Sequence, residues 1–134
     1  MKHTELQELS RLREREAKTL LKAGLWSGAY YVGGYSAEFA IKAVIAVRMG
    51  PQEFPNKKFA NDVWTHDLTK LVGFASLDPG NDQVDKRLKV NWGIVKDWSE
   101  QSRFVMHDQV VATDFLSALS RRKYGVLPWV RQHW

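Results

Sequence analysis

The longest apolar run of the chain, residues 25–47, dominates the pattern of hydrophobic and polar positions. Small residues alternate with bulky ones along it, and small side chains let neighbouring backbones approach closely. Glu38 and Lys42 interrupt the run, whereas a membrane-spanning helix would need ~20 apolar residues with few charges. The pattern therefore predicts the central helix of a soluble helical bundle, with no membrane association.

An amphipathic helix is predicted over residues 4–23, before the central helix. Leucines and alanines recur there at helical spacing, with charged residues between them. Thr4 is a candidate N-cap, and Gln7 could complete a capping box with it. Gly24 is well suited to end the helix, because glycine adopts the left-handed conformation common after a last turn.

The bounds of the central helix are indicated by its flanking residues. It should begin at Trp26 or Ser27, and it should end near Arg48 because Gly50 and Pro51 cannot continue it. The link from the preceding helix is short, so the two helices should pack antiparallel. A long loop follows over about residues 49–65, and its apolar residues, Trp64 among them, are predicted to hold it against the bundle.

Two shorter helices are predicted in the next part of the chain. The first covers residues 65–75, with Thr65 as its cap, and has an apolar stripe at helical spacing. A turn rich in Asp, Pro, Gly and Asn follows it. The second covers residues 83–98, with Asp82 as the candidate cap.

The last third of the chain contains one ambiguous segment and one further helix. Residues 99–108 do not indicate a conformation, because their residues are only moderate helix formers. A helix is predicted over about 113–134, which Gly125 and Pro128 should break or kink. No alternating strand pattern is present, so residues 1–134 are predicted to form a single all-α domain, an up-and-down bundle of four to five helices.

Composition limits the classes of function. The chain has 134 residues and no Cys, which excludes disulfides and thiolate chemistry. Its first residues are polar and charged rather than a signal peptide, so a cytoplasmic location is expected. The formal net charge of +5 favours contact with nucleic acid, although basic runs are more often solvated surfaces. The runs are Arg11/Arg13/Arg15, Lys57/Lys58, Lys86/Arg87/Lys89 and Arg121/Arg122/Lys123.

A polar stripe on the central helix is the first candidate site. Tyr31, Tyr35, Glu38 and Lys42 follow one another at spacings of four, three and four, which places them on one face of a helix. One interpretation is an aromatic seam beside an exposed ion pair worth about 0.3–0.5 kcal/mol. The other is a cleft or dimer surface with a positioned carboxylate and ammonium. His66, at a predicted helix start beside Asp67, is either part of a simple cap or a polar group facing the same cleft.

Arg103 and His107 are candidate catalytic residues. If segment 99–108 were helical, the two side chains would lie one turn apart on the same face. Such a pair can cleave RNA without metal, because His can transfer the proton of the 2′-hydroxyl and Arg can stabilise the charge on the phosphate. The alternative is that Arg103 pairs with a carboxylate such as Glu38 and that His107 is an ordinary loop residue.

Other signatures of chemistry are absent from the sequence. No Gly-rich phosphate loop occurs between a strand and a helix, because Gly33 and Gly34 lie inside a predicted helix. No HExxH motif is present, and the four histidines have no ligand-like spacing. We therefore expect no metal site and no cofactor.

Taken together, these motifs resemble the HEPN domain family, in particular its minimal single-domain prokaryotic members. The strongest likeness is segment 28–43, GAYYVGGYSAEFAIKA, and it extends to Thr65-His66-Asp67 and to Trp98 with Arg103. The resemblance covers about residues 6–130. It implies a bundle of four or five helices that commonly forms homodimers. It also implies a toxin–antitoxin or other stress or defence setting, often beside a small nucleotidyltransferase partner.

The resemblance further implies two possible activities. Many family members are metal-independent endoribonucleases, marked by an Arg followed after four to six residues by His. Here only three residues separate Arg103 from His107, and Phe104 occupies a position that is typically polar. This departure favours a dimeric module that binds RNA, a nucleotide or a nucleotidyltransferase partner. An active ribonuclease toxin that uses Arg103 and His107 is the alternative, and a purely structural helical subunit is a weaker one.

Overall fold

The computed structural model describes residues 2–49 and 64–134, and most of the predicted 49–65 loop lies outside them. Within these ranges the chain forms six α-helices, a 3₁₀-helix at Glu100–Phe104 and no strand. The helices are α1 His3–Lys22, α2 Trp26–Met49, α3 Leu68–Phe74, α4 Lys86–Val95, α5 Gln109–Ser120 and α6 Val126–Arg131. One hydrophobic core contains residues from all six helices, so the predicted all-α bundle is confirmed.

Helices α1 and α2 form an antiparallel hairpin, as the short link predicted. Ser10 donates a hydrogen bond to the carbonyl of Ser36, and Leu20 packs beside Gly28 near the other end of the pair. Gly24 ends α1 with φ of +77°. The predicted cap was wrong, because α1 begins one residue earlier and the carboxylate of Glu5 accepts from the Lys2 N–H.

The centre of the bundle is α2, which contributes more buried residues than any other described helix. Two glycines explain its close packing. A methyl group on Gly33 would lie 2.7 Å from a Leu116 methyl of α5, and one on Gly34 would lie 1.9 Å from the indole of Trp98. The small residues of the central run therefore bring α5 and Trp98 against the α2 backbone.

The caps of α3 and α4 differ from the predictions. Asp67 caps α3 by accepting from the Thr69 and Lys70 N–H groups, while the Thr65 hydroxyl accepts from Asp67. Asp85, not Asp82, caps α4. Both helices begin three residues later than predicted because a carboxylate later in the chain accepts from the first free N–H groups.

The segment 99–108 is mostly not α-helical. It forms the 3₁₀-helix, continues as extended backbone at Val105, and has no regular structure before Asp108, which caps α5. Helix α5 therefore starts four residues before the predicted position. The predicted break of the last helix is confirmed, since Gly125 is the N-cap of α6 and Pro128 lies in its first turn, where a missing N–H costs no helical bond.

Two further predictions can be compared with the described residues. Trp64 is 75 % exposed, so it does not hold the preceding loop against the described part of the bundle. None of the helices in residues 2–49 and 64–134 is long and apolar enough to cross a membrane.

Candidate functional site

A buried ion-pair network is centred on Glu38, halfway along α2. The Glu38 side chain is 1 % exposed, and its two oxygens have different partners. Lys42 Nζ donates to one at 3.1 Å, and His66 Nδ1 lies 2.7 Å from the other. A buried carboxylate needs such partners, because an unpaired charge away from water is costly. The interpretation of Glu38 and Lys42 as an exposed pair is therefore wrong.

His66 links this buried network to the surface. Its Nε2 lies 3.1 Å from a carboxylate oxygen of Glu100, in the 3₁₀-helix, and the ring is 38 % exposed. Both ring nitrogens face carboxylate oxygens, and both can donate only when the ring carries two protons. His66 thus joins α2, the start of α3 and the 3₁₀-helix, and its role goes beyond simple capping.

Two tyrosines extend the network along α2. The hydroxyls of Tyr31 and Tyr35 are 3.4 Å apart, and the Tyr35 ring packs edge-on against Trp98 and His66. Burial raises the pKa of Tyr35, and the hydrogen bond with Tyr31 and the charges of Glu38 and Glu100 raise it further. Tyr35 therefore keeps its proton and remains a hydrogen-bond donor.

A pocket of about 430 Å³ opens beside His66. Its lining is polar and includes three carboxylates, against one lysine. The lining residues are Thr65, His66, Asp67, Thr69, Lys96, Asp97, Trp98, Ser99 and Glu100. Carboxylates and hydroxyls accept hydrogen bonds from amino groups and from sugar hydroxyls, whereas like charge disfavours a phosphate group. The pocket therefore suits an uncharged or cationic group rich in donors.

Arg103 does not reach this network. Its side chain is exposed and its guanidinium lies 4.7 Å from the ring centre of Phe104, the next residue. Within the described part of the chain it makes no hydrogen bond or ion pair, and Glu38 has Lys42 and His66 as partners instead. The suggested pairing of Arg103 with Glu38 is therefore wrong.

His107 occupies a different environment from Arg103. Its main-chain N–H donates to the Ser27 hydroxyl at 2.8 Å, and its ring stacks on Tyr30 at 3.9 Å between ring centres. The ring Nε2 is buried and has no hydrogen-bond partner among the described residues. Because the 3₁₀-helix ends at Phe104 and no helix continues over 105–108, the two candidate residues do not share a helical face.

Sequence reasoning missed Glu100 and Asp97 as site residues, and it named Trp98 only as part of the resemblance. The 3₁₀-helix that brings Glu100 to His66 has no periodic pattern in the sequence. The sequence does contain a signal for the packing of Trp98, because two adjacent glycines inside an apolar helix indicate that a bulky group lies against the backbone. Among the described residues, no group of His, Asp or Glu side chains could hold a metal ion.

No protein-family model, curated protein or solved structure matches this chain.

Proposed function

We propose that this protein is a HEPN-type helical module that binds RNA or a nucleotide without cleaving it. The first support for this proposal is the arrangement of the residues on which the resemblance to the HEPN family is based. Tyr35, Glu38 and Lys42 belong to its central motif, and they meet His66 in one network beside an open pocket. A binding site built on a rigid core helix holds its groups in fixed positions.

The environment of His107 is the observation that favours binding over cleavage. A general base must come within hydrogen-bond reach of the proton that it removes. The His107 ring is stacked on Tyr30 and its Nε2 is buried, while Arg103 is on the surface over Phe104. Cleavage by this pair would need both side chains to be rearranged, and so the ribonuclease activity remains the alternative prediction.

The pocket lining indicates which part of a nucleotide would enter. Glu100, Asp97 and Asp67 can accept from base amino groups or ribose hydroxyls. The phosphate would be repelled by the same carboxylates and would lie outside the pocket. The proposed ligand therefore inserts its base and ribose and leaves its phosphate exposed.

Calorimetric titration with the four nucleoside 5′-monophosphates tests this site. We expect wild-type protein to bind at least one of them, and Glu100→Gln to weaken that binding by about tenfold or more, because a charged hydrogen bond is lost. Glu16→Gln, on the exposed side of α1, is the matched control and should not change affinity. Absence of binding to all four would refute the nucleotide site.

Incubation with mixed single-stranded RNA in chelator separates binding from cleavage. The Arg103→Ala/His107→Ala variant is run beside wild type. We expect both proteins to leave the RNA intact. Cleavage by wild type that disappears in the variant would replace the binding proposal with the ribonuclease alternative.

The proposal includes a homodimer formed through the segment that follows the 3₁₀-helix. Five large apolar residues are exposed there, with Met106 at 93 %. The five are Phe104, Val105, Met106, Val110 and Val111. Large exposed apolar residues that cluster within eight positions mark an interface more often than single exposed residues do. A second copy on this surface would bring Arg103 of both protomers close together, as the resemblance implies.

Sedimentation equilibrium at micromolar concentration tests the dimer. Wild type should have twice the monomer mass of 15.5 kDa, and Met106→Asp should shift it to the monomer mass, because a buried unpaired carboxylate is costly. Val90→Asp changes an exposed valine of α4 and should remain dimeric. A monomeric wild type would rule out the dimer.

The proposed setting is a toxin–antitoxin, stress or defence system with a small nucleotidyltransferase as partner protein. This part of the proposal is supported by the resemblance alone. The neighbouring gene offers a direct check, since a nucleotidyltransferase encoded there could be co-expressed with the tagged chain. Failure of the two proteins to co-purify would count against the pairing.

A further inference from the structure

Two of the basic runs in the sequence come together at one end of α4. Segments 85–91 and 121–125 contain six cations and one carboxylate, Asp85. The cations are Lys86, Arg87, Lys89, Arg121, Arg122 and Lys123. Five of the six are exposed, and Lys89 is half-buried. We call the surface formed by these two segments the basic surface.

Direct contacts join the two segments. The guanidinium of Arg87 lies 4.0 Å from the ring centre of Tyr124, an arrangement in which the cation is attracted to the ring face. Asn91 donates from its side-chain amide to the Tyr124 carbonyl at 2.7 Å. The runs are more than thirty positions apart in the chain, yet they form one surface.

The turn between α5 and α6 restricts the backbone that carries Arg122 and Lys123. Tyr124 has a positive φ of 64°, which is costly for a residue with a side chain. The Gly125 N–H donates to the Arg121 carbonyl, and a methyl group at Gly125 would lie 2.2 Å from that oxygen. Arg122 and Lys123 are therefore presented at the tip of a tight turn that leaves the backbone little freedom.

We infer that the basic surface binds the phosphate backbone of RNA, an inference that rests on the proposed function. The pocket beside His66 has an acidic lining, and under the proposed function the phosphates of the ligand lie outside it. It lies beyond the C-terminal end of α4, and the basic surface includes the N-terminal end. The two ends of α4, a helix of ten residues, are about 15 Å apart, so an extended RNA strand could reach from the N-terminal part of the basic surface to the pocket.

Charge also favours RNA over an acidic protein as the partner. A nucleic-acid backbone presents one charge at every nucleotide, and each contacted phosphate releases counterions. Asp85 already forms a two-contact ion pair with Arg87, which fixes that guanidinium. Most of the remaining cations are exposed to solvent with no carboxylate partner in the described residues. They are therefore free to contact successive phosphates of a nucleic-acid backbone.

Fluorescence anisotropy with a labelled short single-stranded RNA, measured in chelator over a series of salt concentrations, tests the inference. Arg122→Glu/Lys123→Glu should bind at least about tenfold more weakly than wild type. Its plot of log affinity against log salt should be shallower by about 1.4, for two lost phosphate contacts at ~0.7 each. Lys22→Glu/Lys70→Glu makes the same change in net charge on α1 and α3 and should bind within about twofold of wild type.

The outcomes distinguish RNA binding at the basic surface from nucleotide binding in the pocket. Equal loss in both variants, or no loss in either, would refute the basic surface as an RNA site. Equal competition by polyglutamate would refute a nucleic-acid backbone as its occupant. Mononucleotide binding should be the same in wild type and both variants. If the pocket does not bind nucleotides, the anisotropy measurement still tests the basic surface.

Discussion

At the scale of single residues, glycine positions decide how closely the bundle packs. Gly34 has the Trp98 indole directly against its backbone, whereas a methyl group on Gly93 of α4 would meet nothing within 4 Å. Both glycines lie inside helices, so both weaken intrinsic helix stability. The cost at Gly34 is offset by the packing of Trp98, and the cost at Gly93 has no such compensation.

The two glycines should respond in opposite ways to alanine. Gly34→Ala should lower the free energy of unfolding by about 3 kcal/mol or more, because Trp98 would have to move. Gly93→Ala should raise it by about 0.5–1 kcal/mol through helix propensity. Urea unfolding followed by circular dichroism measures both. A Gly34→Ala protein as stable as wild type would contradict the packing described for Trp98.

Two ion pairs of similar spacing differ in burial and should therefore differ in energy. Glu38 is buried between Lys42 and His66, while Glu16 of α1 pairs with Arg13 near the surface. Glu38→Gln should destabilise the protein by about 3 kcal/mol, because it leaves Lys42 buried without its counter-charge. Glu16→Gln should cost less than about 1 kcal/mol. Equal effects in urea unfolding would show that Glu38 is solvated.

At the scale of elements, Glu14 of α1 connects three helices. Its carboxylate accepts from Ser120 at the end of α5 and from Arg131 at the end of α6. Burial alone would raise the pKa of Glu14, but the bonds from Ser120 and Arg131 and the charge of Lys18 outweigh it and lower the pKa below its ordinary 4.5. The connection therefore depends on an ionised carboxylate.

This connection predicts a defined pH dependence. A carboxyl group whose pKa is lowered by folding stabilises the native state above its unfolded pKa, and that stabilisation is lost as pH falls through the folded value. As the pH falls from neutral to well below the ordinary value of 4.5, Glu14→Gln should therefore lose less stability than wild type, and most of the difference should develop below pH 4.5. Urea unfolding across this range measures the difference. Parallel curves for the two proteins would contradict the ionic link between α1, α5 and α6.

The same scale explains which elements could be predicted from the sequence. The α1–α2 hairpin was predicted to within a residue or two, because its stripe is long and Gly24 ends α1 sharply. The starts of α3 and α4 were predicted too early, since Thr65 and Asp82 were chosen over the later carboxylates of Asp67 and Asp85. Several residues near a helix start can act as its N-cap, and hydrophobic periodicity does not indicate which of them does so.

At the scale of the whole molecule, the sequence indicated which residues of α2 share a face, but it did not indicate which residues of other elements contact that face. Tyr31, Tyr35, Glu38 and Lys42 share a helix, so spacing alone placed them together. The arrival of Glu100 depends on a 3₁₀-helix stabilised by distant contacts, which no local pattern indicates. The Arg103–His107 pairing depended on an α-helix over 99–108 that the chain does not form.

The position of Glu38 also has a consequence for the order of folding. Helices α1 and α2 are neighbours in sequence, and such local contacts form early. In that hairpin Glu38 already has Lys42 of its own helix as a partner, whereas His66 comes from 28 positions further along the chain. A compact state that buries Glu38 without His66 would leave one carboxylate oxygen without its native partner, which is costly. The burial of Glu38 therefore disfavours compact states in which His66 is not in place.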